Sequence, residues 1–140
     1  MTATKPRQPQ RTALVAAGGA VGAGVRWAAV TAWPGAGASL PWAVLAVNVV
    51  GAGLLGLVLA VGRRRPPGST AATVLTDGLG AGVCGGLTTA STAAVELAQL
   101  LGDGRFPAAA SYLAASIVLG GVAVVTGLYL GGRSDRRSAP

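Results

Sequence analysis

The chain has few residues able to do chemistry, and most of them sit inside apolar runs. It has 140 residues, no His and a single Cys, Cys84. That excludes His-based catalysis, His metal sites, an internal disulfide and a cluster of thiolate ligands. The chain is read as a non-enzyme. What remains is a set of polar groups suited to holding an ion. Arg26 lies in the second half of an apolar run that has no acid to pair with it. An ionisable group at that depth marks either a water-filled vestibule or a side chain snorkelling to the interface. Asn48, in AVLAVNVVGAGLLG, is the strongest polar residue of its run. Its amide offers two donors to an anion, or a hydrogen bond between helices.

The segment Gly85-Gly86-Leu87-Thr88-Thr89-Ala90-Ser91-Thr92 carries the most information. Residues 78–92 hold five Gly and four Thr or Ser, a poor composition for a continuous helix. A broken membrane helix is tolerated where its freed backbone groups line a cavity or bind an ion. The second half begins with free N–H groups and the positive dipole end, suited to an anion. Carbonyls freed from the first half suit a small cation. Thr and Ser capping with tight packing is the plainer alternative. Farther on, Tyr112 and Ser116 lie one helical turn apart and could form a polar stripe, with Gly120 on the same face. Glu96 either pairs locally or faces the outer mouth, and Asp77 is expected to help start the third helix.

These residues need elements to position them. The chain is 51% hydrophobic and 11% charged, with mean hydropathy +0.59. Soluble domains carry about 25% charged residues, so the expected class is an all-α membrane protein. Each crossing takes roughly 20 apolar residues, which allows at most four. The 36 uncharged residues from Trp27 to Gly62 are too many for one span and are divided by Pro34, Gly35, Gly37, Ser39 and Pro41. The expected organisation is a basic tail over 1–11, a four-helix membrane domain over 12–131 and a basic tail over 132–140. The spans are placed at 12–33, 41–62, 70–102 and 107–130, the third broken near 85–89. A cleaved signal peptide over the first span is disfavoured by Arg26 and by the lack of a nearby small-x-small site. Gly18/Gly22, Gly78/Gly82/Gly86 and Gly127/Gly131 recur at four-residue spacing, which lets helices approach closely. With 23 Gly in the chain, chance alone also produces such pairs.

Charge gives the orientation. The net charge is +7. Lys5, Arg7 and Arg11, then Arg63–Arg65, then Arg133, Arg136 and Arg137 fall on one face of a four-span protein. Arg105, beside Asp103, stands alone on the other. By the positive-inside rule both termini are cytoplasmic, in the cell (plasma) membrane. Nucleic acid is not an expected partner, because the six aromatics lie apart from the arginines. Membrane lipid is.

Five pieces, in order, resemble the CrcB/Fluc family of fluoride channels over residues 14–131. They are GGAVGAGVRW (18–27), VNVVGAGLLG (47–56), GVCGGLTTASTAAVE (82–96), GDGRF (102–106) and YLAAS (112–116). The resemblance implies an antiparallel dimer of four-helix subunits with two pores, and passive, selective export of F⁻. It implies a central structural Na⁺, not transported, held by the backbone carbonyls of Gly85 and Thr88. It also puts Arg26 and Asn48 along the pore and its vestibule. Thr88, Thr89, Ser91, Thr92, Tyr112 and Ser116 become the polar lining.

One departure stands out. Family members typically read T-T-F-S-T-F where this chain has Ala90 and Ala93 in place of the two Phe. The nine-to-one charge bias also works against one sequence inserting both ways, as an antiparallel homodimer requires. A heterodimer with an inverted paralogue is therefore favoured over a homodimer. Two other readings compete. One is a non-conducting structural subunit of such a channel. The other is a small multidrug-type transporter, which would need a Glu where the first span has only Arg26.

Overall fold

A computed structural model describes residues 7–33 and 40–133, and every regular element among them is a helix. Lys5, Arg136, Arg137 and the turn residues Pro34, Gly35, Gly37 and Ser39 lie outside the described residues. Helix α1 is Gln8–Ala32 and α2 is Trp42–Gly62. Helix α3 covers 70–87 in three consecutive parts: Thr70–Thr73, a π-helical Val74–Cys84, and Gly85–Leu87. Helix α4 is Ala90–Gly102 and α5 is Phe106–Arg133.

Three helices, α1, α2 and α5, are each long and apolar enough to cross a membrane. The third apolar region of the sequence is divided between α3 and α4. Thr88 and Thr89 between them are extended, with ψ of 152° and φ of −148°. The chain is thus an all-α, multi-pass membrane protein whose third apolar region is interrupted for two residues.

Local signals explain the helix ends. Helix α1 starts at Gln8, four residues ahead of the sequence expectation, because the Gln10 side chain accepts the Arg7 backbone N–H at 2.9 Å. Arg11 therefore belongs to a helix and reaches the Asp77 carboxylate. Asp77 does not start the third helix. Ser69 does, its hydroxyl accepting the Ala72 N–H at 3.2 Å. Gly68 and Gly104 take positive φ, 76° and 71°, just ahead of α3 and α5, where a side chain would be strained.

Glycine sets the packing. α1 lies against α3, and α2 lies against α5 and, less extensively, against α3. A Cβ added at Gly18 would come within 3.0 Å of Gly82 Cα, and one at Gly22 within 2.8 Å of Leu87 N. On the other seam a Cβ at Gly127 would meet Leu57 N at 2.8 Å and one at Gly56 would meet Leu128 N at 3.1 Å. Backbone touches backbone at each point, the close approach that small residues permit in lipid. Helix α4 is held more loosely, mostly by α5, around a core of Leu45, Leu100, Ala109 and Tyr112. Trp33 and Trp42 are exposed at the end of the bundle away from Arg63–Arg65, where amphipathic rings anchor in an interface.

Candidate functional site

The site is built around the interruption at Thr88 and Thr89. Helix α3 arrives with its negative end and α4 leaves with its positive end, so opposite backbone dipoles meet there. Three side chains hold the junction. Asn48, half-buried on α2, donates from Nδ2 to the Thr89 carbonyl at 3.0 Å and accepts the Thr89 N–H on Oδ1 at 2.8 Å. Arg26, half-buried on α1, donates from Nη1 to the Thr88 carbonyl at 3.1 Å. Thr89 itself caps α4, its hydroxyl accepting the Thr92 N–H at 3.1 Å.

That cap extends into a small hydroxyl cluster. Thr89 Oγ1 donates to Thr92 Oγ1 at 3.0 Å and lies 3.2 Å from Ser91 Oγ. Thr89 is buried, Thr92 half-buried and Ser91 exposed. The cluster therefore runs from the interior to the surface at the positive end of α4. Thr88 contributes less, because its hydroxyl donates back to the Cys84 carbonyl at 2.9 Å. Gly51 of α2 faces that side chain; a Cβ there would collide with Thr88 Cγ2.

Tyr112 and Ser116 lie on α5, away from the junction. Tyr112 is 2% exposed and donates to Glu96 Oε2 at 2.9 Å. Glu96 is therefore paired across helices, by Tyr112, rather than within its own; it also borders a cavity with Trp33, Trp42 and Asp103 at the end of the bundle away from Arg63–Arg65. Ser116 donates to the Tyr112 carbonyl at 2.7 Å, which spends its proton within its own helix. Ala90 is exposed, and Ala93 packs against the Tyr112 core.

A cation at the junction would have to use backbone oxygen. No group of three His, Cys, Asp or Glu is gathered among the described residues. The break strips the last carbonyls of α3 of their helical donors. Thr89 N–H, the donor that a continuous helix would point at the Gly85 carbonyl, goes to Asn48 instead. Neutral carbonyls at a helix C-terminus suit a hard monovalent ion. Carbonyl oxygen is the right donor type, and one lone pair of the Thr88 oxygen is already engaged by the Arg26 guanidinium.

Sequence reasoning picked out Arg26, Asn48, Thr88 and Thr89 but not the hydrogen bonds that Arg26 makes to Thr88 and Asn48 to Thr89. It also missed Gly51, whose signal was its place one turn after Asn48.

Known proteins resemble this chain along most of its length. The family model described as CrcB-like protein, Camphor Resistance (CrcB), matches residues 13–128. "Fluoride-specific ion channel FluC 1" of Streptomyces coelicolor is 38% identical over 125 residues, covering 89% of this chain and 77% of the relative. "Fluoride-specific ion channel FluC" of Novosphingobium aromaticivorans is 44% identical over 123 residues, covering 86% and 91%. "Fluoride-specific ion channel FluC 2" of Streptomyces avermitilis is 38% identical over 105 residues, covering 75% and 65%.

Proposed function

The chain belongs to the CrcB-like protein family, and on that premise we propose that it is a subunit of a fluoride-selective channel through which F⁻ leaves the cytoplasm passively. The observation that carries this reading is the Asn48-clamped break, with Thr89, Ser91 and Thr92 gathered at the positive end of α4. Fluoride is small and tightly hydrated, so a pore must offer donors at close range in place of water. Hydroxyls, a spare Asn48 N–H and the guanidinium of Arg26 supply them without a carboxylate at the junction. Tyr112 and Ser116, expected to extend the polar lining, already have their hydroxyls engaged by Glu96 and by the Tyr112 carbonyl.

The working unit is an antiparallel pair with an inverted paralogue, both termini of this chain being cytoplasmic. Two features support a heterodimer. By sequence position, nine basic residues flank the spans on one side against Arg105 on the other, which favours one orientation. Ala90 and Ala93 stand where the family pattern has Phe, so the partner supplies the pore aromatics. Relatives with the numbered names FluC 1 and FluC 2 are consistent with paired copies. The Gly85 and Thr88 carbonyls would hold a structural Na⁺ at the dimer centre, joining the two breaks. The ion lends rigidity and is not transported.

Liposomes loaded with fluoride provide the test. Efflux is expected when this chain is reconstituted with its inverted partner and to be weak for this chain alone. Robust efflux from this chain alone would overturn the heterodimer; no efflux from the assembled pair would overturn the channel. The second outcome would favour a non-conducting structural subunit, a reading supported by the self-bonded hydroxyls of Thr88 and Ser116.

A further inference from the structure

A cavity of about 420 Å³ opens where α2 ends and α3 begins, on the face that carries the arginines. Arg11, Arg63, Arg65, Gly68, Thr73 and Thr76 line it. The three consecutive arginines of the loop divide their roles. Arg64 turns away and donates to the Gly131 carbonyl at the end of α5. Arg63 and Arg65 border the cavity, and neither side chain has a hydrogen bond or ion pair among the described residues. The one nearby carboxylate among the described residues, Asp77, is taken up by Arg11 and by the Thr76 hydroxyl, at 3.1 Å from the latter. Two guanidinium groups are thus left facing a space large enough for a ligand, beside the positive end of α3.

We propose that this cavity binds the phosphate headgroup of an anionic phospholipid. Guanidinium recognises phosphate through paired N–H donors, and basic pockets between membrane helices suit acidic headgroups. The apolar part of the lining decides between a lipid and free phosphate. Leu59, Pro67 and Ala72 form it. A soluble anion has no use for that surface, whereas an acyl chain covers it. Occupancy does not depend on which ion the chain conducts.

The experiment is native mass spectrometry of the purified full-length protein, with its partner if it needs one, released from mixed phosphatidylglycerol and phosphatidylcholine. The comparison is the double variant Arg63→Gln, Arg65→Gln, with Thr2→Arg and Thr4→Arg added to keep the basic excess on that face. The wild type is expected to retain phosphatidylglycerol in preference to phosphatidylcholine, and the variant to lose that retention by on the order of tenfold. Equal retention by both proteins overturns the site. Displacement of the lipid by millimolar inorganic phosphate overturns the lipid assignment in favour of a free anion. Should the variant fail to fold, the wild type decides alone. Short-chain phosphatidylglycerol must raise its melting temperature more than short-chain phosphatidylcholine, and equal shifts overturn the proposal.

Discussion

Asn48 grips both polar atoms of the Thr89 backbone, donating to its carbonyl at 3.0 Å and accepting its N–H at 2.8 Å. One side chain on α2 thereby replaces, at a helix break, the two bonds that a neighbouring strand would provide. No other side chain satisfies the junction so fully, and it makes Asn48 structural as well as a donor to the path.

Asn48→Asp keeps the shape but puts a carboxylate oxygen opposite the Thr89 carbonyl. Fluoride efflux is expected to disappear and the melting temperature of the assembled protein to fall. The lost and repelled partner is worth about 1–3 kcal/mol. Efflux assays paired with thermal unfolding in detergent check both effects. Unchanged stability would mean that the clamp does not hold the break.

Tyr112 separates packing from polarity. Its ring fills the core with Leu45, Leu100 and Ala109, while its hydroxyl serves Glu96. Tyr112→Phe should cost about 1 kcal/mol, and Tyr112→Ala about 3–5 kcal/mol. Unfolding of the two variants in the same detergent measures the difference. Efflux through the Phe variant then reports on the hydroxyl alone.

Glycine substitutions should divide by location. Gly22→Ala and Gly127→Ala each drive a methyl to within 2.8 Å of a backbone nitrogen on the facing helix. Both should destabilise by about 1–3 kcal/mol, seen as lost monodispersity on size exclusion. A Cβ at Gly132 meets nothing within 4 Å, so Gly132→Ala should behave as wild type.

Orientation can be read with cysteine chemistry, because Cys84 is buried at 3% exposure and gives little background. An impermeant maleimide on intact cells should label Asp103→Cys and leave Pro67→Cys unlabelled until the cells are opened. Mixed labelling at both positions would show dual insertion and return the homodimer to favour.

The helices and the break were legible in the sequence for a simple reason. Apolar runs ended by Pro, Gly and Arg state where a membrane helix can lie, and the run Thr88, Thr89, Ser91, Thr92 states where one cannot continue. The identities of Arg26 and Asn48 were legible too, as polar groups with no local reason to be there. Their partners were not. A hydrogen bond from residue 26 to residue 88, or from 48 to 89, depends on how α1 and α2 are rotated against α3, and hydropathy carries no rotational information. The same limit applies to Asp77, which looked like a helix starter until α1 extended back far enough for Arg11 to reach it. The four-residue glycine spacings did hold that rotational information. In a chain with 23 glycines it could not be told from chance until the two seams were seen.

The π-helical stretch Val74–Cys84 bears on how this chain can vary. An ordinary α-helix advances about 100° per residue, and each i→i+5 turn inserts an extra residue into that count. The stretch therefore works as a phase shifter between two fixed marks, the Arg11–Asp77 pair near its start and the Asn48–Thr89 clamp beyond its end. Removing a single residue from it would leave hydropathy and length almost untouched. It would also turn everything downstream by roughly a quarter of a revolution, carrying Thr89 away from Asn48. In this chain an indel in the middle of the third helix is a more severe change than most substitutions within it.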